Sequence, residues 1–215
     1  MSRLVRIDVI GSFLTQQYSW AIPSAKALRI LSHFAPLVEI GSGSGYWARL
    51  LLDRGVDILP VDRTGTRASS SWTEVLQGGP GILPRLSNKL NLFLCYPDET
   101  SQLGSACLRR FKGEYLIHVG ELFITGTQSG GLQRPWGRSS SADFQVELME
   151  TFHLLLVTRL PSFPVARDHL TVWRRSSFVK GQNYAKDRDD VWAAIPGEER
   201  IDFNASASSL RHLLY

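Results

Sequence analysis

The stretch Val38-Glu39-Ile40-Gly41-Ser42-Gly43-Ser44-Gly45 decides the reading of this chain. An apolar run carrying one acid ends in three glycines at alternating positions, and a helical pattern starts at Tyr46. Glycine lets a ligand approach bare backbone, because any side chain would fill the space. Amides at the start of the following helix, with its dipole, can meet polar or negative ligand groups. A second apolar run, residues 56–61, ends at Asp62, which lies 21 positions after Gly41. A nucleotide-binding α/β unit places its ribose carboxylate at about that separation.

Outward from this unit the chain alternates strand and helix. Ala27, Ile30, Leu31 and Phe34 follow helical spacing, with Pro23 expected at the first helical position and Pro36 ending the run. Leu37–Ile40 reads as a buried first strand, 46–54 as a helix capped by Gly55, and 56–61 as the second strand. Residues 63–90 are rich in Gly, Ser, Thr and Pro, which predicts a shortened, irregular region. Asn91–Cys95 is a short strand, 101–111 a helix, and 115–119 a strand closed by Gly120-Glu121. A glycine- and serine-rich loop over 122–140 leads to a helix at Ala142–Thr151. Two strands, 153–158 and 169–174, follow with no helix between them and should pair as an antiparallel hairpin. The alternation predicts an α/β fold, a mostly parallel sheet with helices on both faces and this terminal hairpin.

A chain of 215 residues fits one such domain, and its 43% hydrophobic content supplies a large core. We expect an N-terminal segment, 1–22, able to act as a lid, a nucleotide-binding domain over 23–180, and a loosely packed tail over 181–215. No run approaches the ~20 apolar residues of a membrane span, and Asp8 interrupts the short apolar stretch of the N-terminus, against a cleaved signal peptide. Cys95 and Cys107 make neither a disulfide framework nor a zinc cluster, so no metal is expected and the cytoplasm is the expected compartment. The net charge of +4 is unevenly placed: residues 159–188 carry seven Lys/Arg against two acids. That stretch reads as a solvated basic rim, or as a weak site for an anionic partner.

The glycine spacing is G-x-G-x-G with an acid before it, not the G-x-G-x-x-G of dinucleotide binders. It resembles motif I of the S-adenosylmethionine (SAM)-dependent methyltransferases. Trp20-Ala21-Ile22-Pro23, Glu39 to Ala48, Gly55-x-Asp57 and Asp62 resemble a poorly characterised branch of that class I, Rossmann-like family. So do Leu92-Phe93-Leu94-Cys95-Tyr96-Pro97, Val119-Gly120-Glu121, Thr125-Gly126 and Val172-Trp173-Arg174-Arg175, so the likeness covers roughly residues 18–175. Family members often carry two prolines after an aromatic where this chain has Pro97-Asp98. The resemblance implies SAM as cofactor and an unidentified methyl acceptor.

On that reading Gly41, Gly43 and Gly45 face the methionine part and ribose of the cofactor, Glu39 sits at the end of strand one beside it, and Asp62 accepts from the ribose hydroxyls. Tyr46 and Trp47 could offer an aromatic face to the sulfonium, or simply pack the first turn of the helix. Tyr18 and Trp20 are lid residues or core anchors, and the segment from Trp72 to Val75 lies where the adenine is usually walled. Tyr96 and Glu121 follow strand ends, where open α/β sheets bind ligands, and are the expected catalytic residues on the acceptor side. Cys95 reads as a buried strand cysteine rather than a nucleophile, and His118 as a satisfied core histidine. Two other readings compete with the enzyme: a SAM-binding scaffold without catalysis, and a nicotinamide- or flavin-dependent oxidoreductase.

Overall fold

The computed structural model describes residues 14–67, 70–123, 139–163 and 166–178. The expectations for the 181–215 tail, most of the 122–140 loop and the first 13 positions lie outside the described residues. Among the described residues the elements that build the sheet and its two covers follow in the order α1 (Ala25–His33), β1 (Leu37–Ile40), α2 (Tyr46–Leu52), β2 (Ile58–Asp62), β3 (Leu76–Gln77), β4 (Asn91–Cys95), α3 (Leu103–Arg110), β5 (Tyr115–Gly120), α4 (Ala142–Thr151), β6 (Phe152–Arg159) and β7 (His169–Arg175).

The strands form one sheet in the order β3-β2-β1-β4-β5-β7-β6. Pairings from β3 through β5 are parallel, whereas β7 runs antiparallel to both β5 and β6. This is the Rossmann-like methyltransferase fold with its terminal hairpin. Strand order reverses between β1 and β4, and the crevice beyond the carboxyl ends of those strands is where such a sheet takes ligands.

Alternation along each strand divides the core in two. Leu37, Phe93, Ile117 and Val172 pack with Leu28, Leu31 and Trp47 on the α1/α2 face. Val38, Leu92, Leu116 and Trp173 pack with Cys107, Phe144 and Leu148 on the α3/α4 face. Both faces are therefore covered, which is why the strands read as nearly continuous apolar runs.

One sequence expectation changes, at the start of α1. Pro23 is not the first helical residue. Ser24 caps α1 instead, its hydroxyl accepting from the Ala27 amide at 3.1 Å, because a capping oxygen satisfies an amide that proline leaves alone. The 63–90 region is indeed abbreviated, to the two-residue β3 and a 3-10 helix at Pro80–Arg85. Among the described residues no helix is long and apolar enough to cross a membrane.

Candidate functional site

A cavity of about 800 Å³ opens beyond the carboxyl ends of β1, β2 and β4, within the size range of small-molecule sites. Its walls include Glu39, Gly41, Gly43 and Asp62 from the glycine unit, Tyr18 and Trp20 from the N-terminal segment, and Tyr96 with Asp98 after β4.

The glycine loop is shaped by backbone sterics. Gly41, Gly43 and Gly45 all have positive φ, at 81°, 56° and 76°, a region that side-chain-bearing residues enter at a cost. A Cβ on Gly41 would lie 2.9 Å from Leu103 Cδ2, and one on Gly45 would lie 3.0 Å from the side chains of Thr73 and Val75. A Cβ on Gly43 would meet no protein atom within 4 Å, so that glycine faces open space. Gly45 does not line the cavity. Its lack of a side chain lets the segment around Thr73 close over the loop.

The amides of Gly41, Ser42, Gly43 and Gly45 are used inside the protein. Gly41 and Ser42 both donate to Val61 O, at 2.8 and 3.1 Å, and Gly45 donates to Ser42 O at 2.9 Å. Gly43 donates to Asp62 Oδ2 at 3.1 Å. Asp62 Oδ1 takes the Thr64 amide at 3.0 Å and the Thr64 hydroxyl at 2.7 Å. Each carboxylate oxygen has further acceptor capacity, and Asp62 remains part of the cavity wall.

Glu39 is 2% exposed and lines the cavity, and its Oε2 has no hydrogen-bond partner. Burial, reinforced by the negative charge of Asp62, pushes its carboxyl up to about 8. Burial thus favours the neutral form of this acid, and an incoming cation would favour the charged one.

Tyr46 and Trp47, candidates either for cofactor contact or for packing of the first helical turn, diverge. Tyr46 is absent from the cavity wall. Its ring meets Tyr18 at 5.2 Å and Trp72 at 5.2 Å, and those two meet each other at 5.3 Å. Trp72 Nε1 donates to Gln17 O at 2.7 Å and the Ser44 hydroxyl to Tyr18 O at 3.1 Å. This three-ring cluster pins the N-terminal segment across the glycine loop. Trp47 reaches the cavity but is 2% exposed. It packs on Phe93 at 5.6 Å and donates to Ser19 Oγ at 3.0 Å.

On the other side of the cavity Tyr96 and Asp98 have positive φ, 50° and 73°. Strain of this kind in residues other than glycine persists where surroundings hold it, often at working sites. Asp98 is engaged in a turn, accepting from the Thr100 amide at 2.8 Å and the Thr100 hydroxyl at 2.9 Å. Tyr96 lines the cavity, stacks with Trp20 at 6.2 Å and 19°, and donates its hydroxyl to Asp168 Oδ1 at 2.5 Å. Asp168 was not visible as a candidate from the sequence. It stands just before β7 and meets Tyr96 only through the sheet order.

Glu121 is not brought to the cavity. It is 4% exposed, and its Oε1 accepts the Arg167 amide at 2.9 Å, so the turn at Gly120 aims it toward the start of β7. His118 is core, as expected, but both ring nitrogens lack partners, and burial pulls it down to about 3. The Cys95 thiol is pushed upward by burial and by Glu39, which disfavours the thiolate that a nucleophile needs.

Within the basic stretch, Arg174 pairs with Glu114 at 2.6 Å, and Arg175 donates to the carbonyls of Gly113 and Phe111 while lying over Phe152. These two guanidinium groups fasten β7 to the start of β5. Among the described residues no group of three or more His, Cys, Asp or Glu is placed to hold a metal.

The chain matches no protein-family model and no curated protein. Among solved structures it is similar to magnesium protoporphyrin IX methyltransferase from Synechocystis with bound SAM, at 12% identity over 80% of this chain and 79% of that one, TM-score 0.44. It is similar to 1,6-didemethyltoxoflavin-N1-methyltransferase from Burkholderia thailandensis with bound S-adenosylhomocysteine, at 14% identity over 81% and 91%, TM-score 0.46. A third likeness is to the N-methyltransferase NodS from Bradyrhizobium japonicum, at 12% identity over 69% and 84%, TM-score 0.42. At these identities the chemistry of the site has to be argued from its own residues.

Proposed function

We propose that this chain binds SAM in the cavity and transfers its methyl group to an acceptor seated against Tyr96. The observation that carries the reading is the pairing of a glycine loop whose amides are already engaged with a buried, unpartnered Glu39. A dinucleotide needs loop amides for its pyrophosphate, and those of Gly41, Ser42, Gly43 and Gly45 are taken. That weighs against the nicotinamide and flavin reading. A nucleoside with a cationic, phosphate-free tail suits the arrangement better.

The residues fit such a group. Asp62 would accept from ribose hydroxyls, Glu39 would face the ammonium of the amino-acid tail, and Gly43 leaves open space for the ligand's approach. When bound, SAM supplies a methyl carbon made electrophilic by its sulfonium. The protein's part is then to align the acceptor and to exclude water, for which positioning alone supplies much of the rate. The three-ring cluster of Tyr18, Tyr46 and Trp72 holds the N-terminal segment where it would roof the cofactor.

Melting temperatures with SAM, S-adenosylhomocysteine, NAD and NADP test this reading. A ligand at 100 times its dissociation constant adds about 2.7 kcal/mol of stability, and SAM and S-adenosylhomocysteine should each do so. A shift with NAD or NADP and none with the SAM pair would reject it.

A further inference from the structure

Proton handling at the acceptor side is built into the fold by two residues that lie far apart in the chain. Tyr96 leaves β4 in a left-handed conformation and lines the cavity, with its hydroxyl donated to Asp168 Oδ1. Asp168 is 1% exposed, its backbone amide donates to Ser162 Oγ at 2.8 Å, and its Oδ2 has no partner. A buried carboxylate with an unused oxygen is costly, and the fold places it against the one cavity-lining phenol that stacks with Trp20. Trp20 itself is 58% exposed at the cavity mouth, an indole face open to a planar ligand.

We propose that Tyr96 meets the acceptor's nucleophilic oxygen, that Asp168 is the positioning residue that takes up the proton through Tyr96, and that the acceptor is a planar aromatic molecule bearing an ionisable hydroxyl. This rests on the methyl-transfer reading above. A neutral amine attacks with its lone pair and needs no base beforehand, whereas a phenol is a poor nucleophile until its proton leaves. A relay ending in a buried carboxylate answers the second need. As the acceptor's O–H bond breaks its O–CH3 bond forms, and the electron pair of the S–CH3 bond stays on sulfur. The acceptor's proton passes to Tyr96 Oη while the proton of Tyr96 passes to Asp168 Oδ1, and later to water.

The electrostatics agree with the geometry. Burial, with the Asp168 charge beside it, pushes the Tyr96 phenol upward, so it stays protonated and relays rather than ionises. Burial pushes Asp168 up to about 6, with the Glu121 charge adding to it and the hydrogen bonds from Tyr96 and Ser162 opposing it. The other titratable groups around the pair are Glu121, held by the Arg167 amide, and the Cys95 thiol. A carboxylate near that value still accepts a proton at neutral pH.

The test uses the full chain and para-nitrophenol, whose visible absorbance reports phenol or phenolate. Without SAM, calorimetry should show saturable binding of the phenol, and that binding should persist in Asp168→Asn. With SAM, the wild-type chain should form the methyl ether, with para-nitroaniline left unmethylated. Tyr96→Phe should lower turnover by ~10²–10⁴-fold, the usual worth of a general base. Asp168→Asn should lower turnover below the ionisation of the phenol and recover above it, a pH split that mere loss of structure would not produce. Methylation of para-nitroaniline but not of para-nitrophenol, no saturable binding of the phenol to protein that binds SAM, or an Asp168→Asn defect equal at every pH would each overturn the inference. Failure to bind SAM at all would instead remove the methyl-transfer reading, and this inference with it.

Discussion

The Gly43 amide donates to Asp62 Oδ2 across 3.1 Å, so the carboxylate expected to bind the ribose also holds the glycine loop. The loop following β1 is tied to the end of β2 further by the Gly41 and Ser42 amides on Val61 O. Asp62→Ala therefore removes the proposed ribose acceptor and a loop anchor together. SAM affinity should fall by about 1.5–3 kcal/mol, the range for hydrogen bonds to a charged group. Asp62→Asn, which keeps an acceptor for Gly43, should lose less. Calorimetric titration of the three proteins checks the order, and equal affinities would place the ribose elsewhere.

Gly43 and Gly55 form a matched pair for separating backbone strain from ligand contact. Both have positive φ, 56° and 73°, and at neither would a Cβ meet a protein atom within 4 Å. Only Gly43 lines the cavity. Alanine at either position should cost about 1–2 kcal/mol of stability from the left-handed conformation. Only Gly43→Ala should also weaken SAM binding. Denaturant melts paired with titrations check this, and a loss of affinity in Gly55→Ala would undo the comparison.

Glu39 links stability to pH. In the unfolded chain it ionises near 4.5, and in the folded protein near about 8. Between those values the folded state holds the extra proton, so this group's contribution lowers stability as pH rises through that window. Glu39→Gln should flatten the dependence and make the empty protein more stable at pH 8, by ~1–3 kcal/mol. The same variant should bind SAM at least tenfold more weakly. In the wild type, SAM binding near neutrality should release a proton, seen as a binding enthalpy that varies with the buffer's ionisation enthalpy. A buffer-independent enthalpy would mean that Glu39 does not meet the cation.

Trp72 connects the N-terminal segment to the glycine loop through two ring contacts and a hydrogen bond to Gln17 O. Aromatic pairs are worth about 0.5–1.5 kcal/mol each beyond their burial. Trp72→Ala should raise hydrogen exchange at Tyr18 and Ala21 and speed SAM dissociation, with little change in the global melt. Unchanged exchange there would show that the segment is held by other contacts.

Glu121→Ala should destabilise the fold by about 1–3 kcal/mol, because the part-buried Arg167 amide loses its acceptor. SAM affinity should stay at the wild-type value, since Glu121 lies outside the cavity wall. A selective loss of affinity with an unchanged melt would return Glu121 to the site.

The alternating glycines, Asp62, the order of elements and the terminal hairpin were legible in the sequence, because each depends on local spacing. Positive φ is a property of single residues, and a strand that lacks a following helix must pair with its neighbour. Even the shortened 63–90 region was readable, from too few periodic apolar positions for a full helix, strand and helix. The tertiary structure alone decided which side chains meet. Tyr96 and Asp168 are 72 positions apart, and they touch because β5 lies between β4 and β7 with β7 reversed. The same reversal brings the Arg167 amide to Glu121 and takes that acid out of the cavity. Tyr46 looked like a cofactor contact by its place in the chain, but Tyr18 and Trp72 claim its ring. Side-chain partnership at strand ends follows from sheet order and strand direction, which no spacing within one segment encodes.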